Sequence, residues 1–396
     1  MNNTRAPHGA VPRTILIVGG GLAGRRAAET LRASGFEGRV VLVGGDPGMP
    51  EERPRIEWLN DHVDRIDYAN RFAWLRHHGL VCFDACLLAT GGRARMPSET
   101  GGVRQAYPLR TKAEGQRLLE TMNGARTVAV VGGGIHGLEF AANARAYGLE
   151  VTVIESAPYI LNQSIPQGFA ERLRAKHESH GVQFVFASEP PGISKSAAGI
   201  SIHTDRGAED FDFCVLALGQ LPNDDLAIFS GIDANNGILV DAYCRTSAPG
   251  IYAAGACANF PLGKDRRSTR LDSCQNALDQ AVVAARNMLG ELIEYRPVPW
   301  LSTDQYDWNL QILGVFDAQV ERWTERSVGE GRTLLMGLRH GVIVYALAVN
   351  HGAELRAVRR LVEDAVPVDL CEFEKLIRDF ESEESTRLDS LLTTNS

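Results

Sequence analysis

Thr14-Ile-Leu-Ile-Val-Gly-Gly-Gly-Leu-Ala-Gly24 near the start of the chain and Thr127-Val-Ala-Val-Val-Gly-Gly-Gly-Ile-His-Gly137 in its middle decide the fold. Each opens with a continuous apolar, β-rich run, the pattern of a strand buried on both faces of a parallel sheet. Each run passes directly into Gly-x-Gly-x-x-Gly and then into a helix pattern, Arg25 to Ala33 after the first and Leu138 to Tyr147 after the second. The first helix is amphipathic, with Ala27, Ala28 and Leu31 on one side and Arg25, Arg26, Glu29 and Arg32 on the other. A further strand follows each helix, Arg39 to Val43 and Val151 to Ile154. The chain therefore holds two complete β-α-β units.

The glycine spacing carries chemistry. Gly19 and Gly132 make the strand-to-helix turns, Gly21 and Gly134 let backbone approach a pyrophosphate, and Gly24 and Gly137 let helix pack on strand. The free N–H groups and partial positive charge of the helix start then face the phosphates. Asp46 and Glu155, at the ends of the second strands, are placed to accept hydrogen bonds from a ribose. An acid at Glu155 repels a 2′-phosphate and so favours NAD(H) over NADP(H).

The rest of the chain bounds the answer. Its 396 residues imply two or three domains, and its net charge of −8 argues against a nucleic-acid partner. The polar start carries no secretory signal, and no apolar run approaches the roughly 18–20 residues that span a bilayer, so a cytoplasmic protein off the membrane is expected. Seven cysteines, at 82, 86, 214, 244, 257, 274 and 371, include no Cys-x-x-Cys and read as buried, reduced thiols in strands. No metal motif and no Gly-x-Ser-x-Gly is present. Short apolar strands with glycine exits recur at Ala85 to Gly92, Phe213 to Gly219 and Ile251 to Gly255, and a helix pattern covers Asp272 to Leu289. From Pro297 the pattern changes to a separate C-terminal α+β domain, and the polar tail from Glu381 reads as disordered.

With these stretches go Glu52-Arg-Pro54, Leu87-Leu-Ala-Thr-Gly91, Leu109-Arg-Thr111, Val131 to Glu139, Gly237-Ile-Leu-Val-Asp241, Ile251-Tyr-Ala-Ala-Gly255, Asn276-Ala277 with Gln280, Val298-Pro-Trp300, Asp304-Gln305 and Val349-Asn350. In that order the chain resembles the FAD-dependent NADH:ferredoxin reductases that serve aromatic-ring dioxygenases and bacterial cytochromes P450, enzymes of the glutathione-reductase fold. The resemblance implies an α/β fold with two Rossmann-like dinucleotide-binding domains and a C-terminal α+β domain. An FAD domain would be discontinuous (1–107 and 222–296), an NAD domain (108–221) inserted, and the C-terminal domain would span 297–396. It implies FAD and NAD(H) as cofactors, hydride transfer from NADH to FAD, and a ferredoxin-like electron-transfer partner. The cofactor contacts it implies are Gly19, Gly21, Gly24, Asp46, Arg53, Thr90 and Gly91, then Gly132, Gly134, Gly137 and Glu155, then Gly219, Gly255, Ala256, Asn276 and Trp300. Glu139 and His136, one helical turn apart, are the candidate catalytic residues.

Four departures from the family cluster at the flavin. The Lys-bearing segment after Arg53-Pro54 looks deleted, which leaves Glu139 without its family partner and open to substitution by Arg53 or Arg55. The family Gly-Asp that grips the ribityl chain is Gly255-Ala256. Aromatic positions are Cys274, Leu301 and Ser302, and His136 replaces an apolar residue. These changes keep two other readings open: a flavoprotein acting directly on a small organic substrate, and a degenerate NAD-binding partner subunit. The basic run Lys264 to Arg270 reads as a surface loop or a docking site for an acidic ferredoxin. The sequence does not fix the oligomeric state.

Overall fold

The structure, a computed structural model, describes residues 12–45, 55–97, 103–263, 266–316, 319–327 and 331–368. The chain divides into two compact units, Met1–Arg93 with Leu221–Pro297 and Ala94–Gln220 with Val298–Ser396.

The first unit is built on a five-stranded parallel sheet in the order Ile251–Ala253, Ala85–Leu88, Thr14–Val18, Arg39–Val43, Ile56–Leu59. Ile15, Leu16 and Ile17 have no exposed surface, as the continuous apolar run requires. The helix Leu22–Ala33 turns Ala27, Ala28 and Leu31 into this core and packs across a second helix, Cys274–Met288. Only residues 44–55 separate the adjacent parallel strands Arg39–Val43 and Ile56–Leu59. That is close to the minimum of roughly a dozen residues for a parallel crossover. An antiparallel sheet, Val63–Asp67, Phe72–Leu75, Gly79–Cys82, completes this part of the chain.

The second unit repeats the parallel arrangement as Val182–Phe186, Glu150–Glu155, Thr127–Val131, Phe213–Leu216, Ala106–Pro108. Residues 106–108 thus lie on the edge of the second sheet. The C-terminal part is α+β: the antiparallel sheet Trp300–Gln305, Trp308–Gly314, Val342–Val349, Thr333–Arg339, Arg322–Ser327, backed by the helix Gly352–Glu363. It shares a core with the middle of the chain. Leu138, Ile165, Phe169 and Leu173 pack with Leu310, Ile312, Tyr345 and Leu347, and the Tyr345 hydroxyl donates to the Ser164 carbonyl at 2.7 Å.

Two expectations change. Cys82 and Cys274 are exposed, because Cys82 lies on the outward face of its strand and Cys274 starts a helix; Cys86, Cys214, Cys244 and Cys257 are buried. The basic run is not all loop: Arg267–Thr269 is a strand paired with Ala258–Leu262, while residues 264–265 fall outside the described residues. Asp46, Arg53, Cys371 and the tail from Glu381 also lie outside them. Among the described residues no helix is long and apolar enough to cross a membrane, and no cluster of His, Cys, Asp and Glu is arranged to hold a metal.

Polar groups sit inside the shared core. His177, on the helix Gln167–Ser179, and Gln305 have no exposed surface, and His177 Nε2 lies 2.7 Å from Gln305 Oε1. A carbonyl oxygen only accepts, so Nε2 carries the hydrogen, and Nδ1 accepts from the Tyr306 hydroxyl at 3.1 Å. Burial holds the imidazole neutral, with its pKa pushed down to about 4. An unfolded histidine protonates near 6.5. The stabilising effect of neutral His177 is therefore complete above that pH and is lost as pH falls towards 4, by roughly 3 kcal/mol at the limit. His177→Gln should lower stability at pH 8 yet narrow its gap to the wild type between pH 6.5 and 4, as read by urea unfolding across that range. A constant gap would refute a buried neutral histidine.

Candidate dinucleotide sites

Both glycine loops have the same geometry. Gly19 (φ +115°) donates to the Val43 carbonyl at 2.7 Å, and Gly132 (φ +110°) donates to that of Ile154 at 2.8 Å. A Cβ on Gly24 would lie 1.8 Å from the Gly19 carbonyl oxygen, and one on Gly137 2.1 Å from that of Gly132. Glycine is required there because backbone fills the space. Gly21 and Gly134 differ: a Cβ on either meets nothing within 4 Å. They face open space at the helix starts, where the fingerprint places a pyrophosphate.

The helices begin earlier than the sequence pattern suggests, at Leu22 and Ile135, directly out of the loops. Neither has a capping side chain or an acid in its first turn. The helix Lys112–Met122, by contrast, carries a full capping box from Thr111 and Glu114, and Ser273 caps the helix Cys274–Met288. The loop helices thus leave their first N–H groups and positive ends for an anion.

In the second loop, Glu155 accepts from the Gly133 and Ala157 amides, both at 2.7 Å. These bonds fix a carboxylate at the mouth of the loop. Glu139 is half-buried on the helix Ile135–Ala146 and accepts from the Thr303 hydroxyl at 3.3 Å. His136 is exposed on the same helix. Arg55 pairs with Glu37 at 2.9 Å. Gly219 has φ +76°, and Trp300 packs into the C-terminal core with the Arg359 guanidinium over its ring.

In the first unit, Thr90 and Asn223 bond reciprocally. The Thr90 hydroxyl donates to the Asn223 carbonyl (2.5 Å), and the Asn223 amide donates to the Thr90 carbonyl (2.9 Å). Gly91 has φ +68° and its carbonyl takes the Asn223 N–H. Gly255 (φ +84°) donates to Gln280 Oε1 at 2.8 Å, and among the described residues Gln280 Nε2 is buried with no partner. Such an unpaired donor beside Gly255 fits a bound group rich in acceptors. The Ala256 carbonyl accepts from Arg270 at 3.2 Å, and Asn276 is held by Leu271 and Tyr295. Burial pushes the thiols of Cys86, Cys244 and Cys257 up, and that of Cys214 up to about 12, so none of these four supplies a thiolate.

Residues 49–281 match the family model of the pyridine nucleotide-disulphide oxidoreductases, and 300–375 match the reductase C-terminal model. The chain belongs to the pyridine nucleotide-disulphide oxidoreductase family. It is 37% identical to the ferredoxin–NAD(+) reductase component of the anthranilate 1,2-dioxygenase system of Burkholderia cepacia, over 88% of this chain and 93% of that protein. It is 30% identical to rhodocoxin reductase of Rhodococcus erythropolis, over 90% of each. A ferredoxin reductase structure from Rhodopseudomonas palustris superposes with a TM-score of 0.82 at 29% identity, covering 92% of this chain and all of that one. The reductase in a covalent putidaredoxin reductase–putidaredoxin complex gives 0.85 at 25%, covering 96% and 98%. The chain is an NAD(H)-dependent flavin oxidoreductase whose cofactors are FAD and NAD(H).

Thr303, Gln305, His177 and Gln280 were not singled out as site residues in the sequence. Thr303 and Gln305 alternate on the buried face of the strand Trp300–Gln305, and the run Ser302 to Gln305, polar throughout, carries no sequence signal of which face turns inward.

The two kinds of loop glycine separate in an experiment. Gly24→Ala should destabilise the FAD-free protein by more than about 3 kcal/mol, because backbone must move. Gly21→Ala should leave the FAD-free protein within about 0.5 kcal/mol of the wild type while weakening FAD at least roughly tenfold. Urea unfolding and flavin fluorescence titration read the two effects; equal stability losses would defeat the assignment.

Proposed function

We propose that the reductase takes a hydride from NADH onto FAD and passes electrons singly to a ferredoxin-like iron–sulfur protein in the cytoplasm. The observation that carries this reading is the pair of uncapped glycine-loop helices on two parallel sheets whose four strands around the loop share one order. Two such helix starts suit two dinucleotides. The named relatives that serve ferredoxin, rhodocoxin or putidaredoxin systems support the choice of acceptor.

Residues 1–107 and 222–296 are proposed to hold FAD, 108–221 to hold NAD(H), and 297–396 to form the C-terminal domain. Gly19, Gly21 and Gly24 cradle one pyrophosphate, and Gly132, Gly134 and Gly137 the other. Bound FAD supplies the conversion of a hydride into single electrons. Gln280 Nε2 gains an acceptor in the bound state. Glu155 orients the adenosine ribose of NADH and opposes a 2′-phosphate, while Glu139 and His136 lie on the helix that starts at the nicotinamide-nucleotide loop. The short crossover at residues 44–55 supports a second reading, in which an uncovered flavin acts directly on a small organic substrate.

Anaerobic NADH should bleach the flavin bands, and a relative's ferredoxin should then be reduced in an NADH-dependent way. Bleaching without reduction of ferredoxin or cytochrome c would favour the second reading; protein that stays colourless with added FAD would overturn both. NADH should exceed NADPH in kcat/KM by roughly a hundredfold, and Glu155→Gln should narrow that ratio by about tenfold. An unchanged ratio would remove Glu155 from cofactor choice.

A further inference from the structure

We propose that Thr303 and Gln305 of the C-terminal sheet, together with His177, are positioning residues that hold the Glu139 carboxylate. The inference rests on the reading that Glu139 faces the nicotinamide site. Four hydrogen bonds run in one direction towards Glu139. The Tyr306 hydroxyl donates to His177 Nδ1 (3.1 Å), His177 Nε2–H donates to Gln305 Oε1 (2.7 Å), Gln305 Nε2 donates to Thr303 Oγ1 (3.5 Å), and the Thr303 hydroxyl donates to Glu139 Oε2 (3.3 Å). Each acceptor fixes the orientation of the next donor. With His177 Nε2 committed as donor, Gln305 must present its oxygen there and its N–H₂ to Thr303. Thr303 Oγ1, already accepting, is left to donate its only hydrogen to the carboxylate.

The burial of these groups needs an explanation. Gln305 and His177 have no exposed surface and Thr303 is 3% exposed, on elements whose buried neighbours form a largely aliphatic and aromatic core. Valine and leucine would suit the inward face of that strand, and buried polar side chains are tolerated only when bonded. The chain of bonds joins the strand Trp300–Gln305 to two helices, Gln167–Ser179 and Ile135–Ala146, and ends on the one carboxylate. Among the described residues of its own unit, the Thr303 hydroxyl is the donor shown to Glu139. Because the two bonds nearest Glu139 are long, the hold is adjustable, and its loss should change hydride-transfer geometry more than nucleotide affinity.

The test compares Thr303→Val, which keeps shape and removes the hydroxyl, with Thr303→Ser, which restores it, in FAD-loaded protein. Thr303→Val should slow the limiting rate of flavin reduction by NADH roughly fivefold to twentyfold while the Kd for NAD+, by calorimetry, stays within about twofold. Thr303→Ser should recover most of the rate. An infrared difference spectrum on NAD+ binding, with the carboxylate band assigned by Glu139→Gln, should shift in Thr303→Val and return in Thr303→Ser. If Thr303→Val loses its fold, Thr303→Ala removes the same hydroxyl and is read in the same way. A slowed Glu139→Gln beside a wild-type-like Thr303→Val would overturn the positioning proposal and leave Glu139 in its role. A Glu139→Gln with unaltered flavin reduction would refute the Glu139 reading itself and the proposal with it.

Discussion

In each unit a helix is pressed so closely onto a strand that only hydrogen fits between them. A Cβ at Gly24 or Gly137 would sit inside the carbonyl oxygen of Gly19 or Gly132. This contact fixes the direction of each helix and aims its positive end at the end of the central strand. It also dictates the loop, because the chain must leave the strand through a left-handed residue at Gly19 or Gly132 to enter the helix at that angle. A nucleotide site in this fold is therefore a consequence of packing. Polar chemistry enters only afterwards, through the absence of caps and through Glu155, which spends both carboxylate oxygens on the backbone around its loop.

The second unit adds a constraint of another kind. Its C-terminal sheet shares a core with the helices of the 108–221 segment, so a side chain on the strand Trp300–Gln305 can act on a residue more than a hundred positions earlier. A shared apolar core fixes distance but not the rotation of a carboxylate about its bonds. The bonded groups from His177 to Thr303 supply that missing orientation. Their cost is acid sensitivity, since burial favours neutral His177 and protonation in acid lowers stability.

The parallel sheets were legible because Thr14–Val18 and Thr127–Val131 are apolar without interruption and end on glycine, a pattern that local sequence reports fully. The edge strand Ala106–Pro108 was not, since it is short and contains proline, which an edge position tolerates. The shared core was hidden because Leu138 and Leu310 show only that each is buried, not that they meet. Glu139 was legible by resemblance, but the Thr303 hydroxyl that donates to it was not, and Arg53, one of its expected partners, lies outside the described residues. Thr303 and Gln305 alternate with Ser302 and Asp304, so every residue in Ser302 to Gln305 is polar and the sequence gives no sign of which face turns inward.

The exchange at Ala256 illustrates how a polar site can change sign without losing its shape. The family acid at this position is an acceptor, and alanine offers none. Around it the described acceptors are already committed: the Ala256 carbonyl takes Arg270, which also pairs with Asp272, and Gln280 Oε1 takes the Gly255 amide. What remains among the described residues is Gln280 Nε2, a buried donor with no partner. An unmet buried donor costs about 1–3 kcal/mol, and a ligand that supplies an acceptor recovers that energy on binding. The first unit thus keeps a buried donor, Gln280 Nε2, without a partner among the described residues beside Gly255. A ribityl hydroxyl can serve either partner, as donor to an acid or acceptor from an amide.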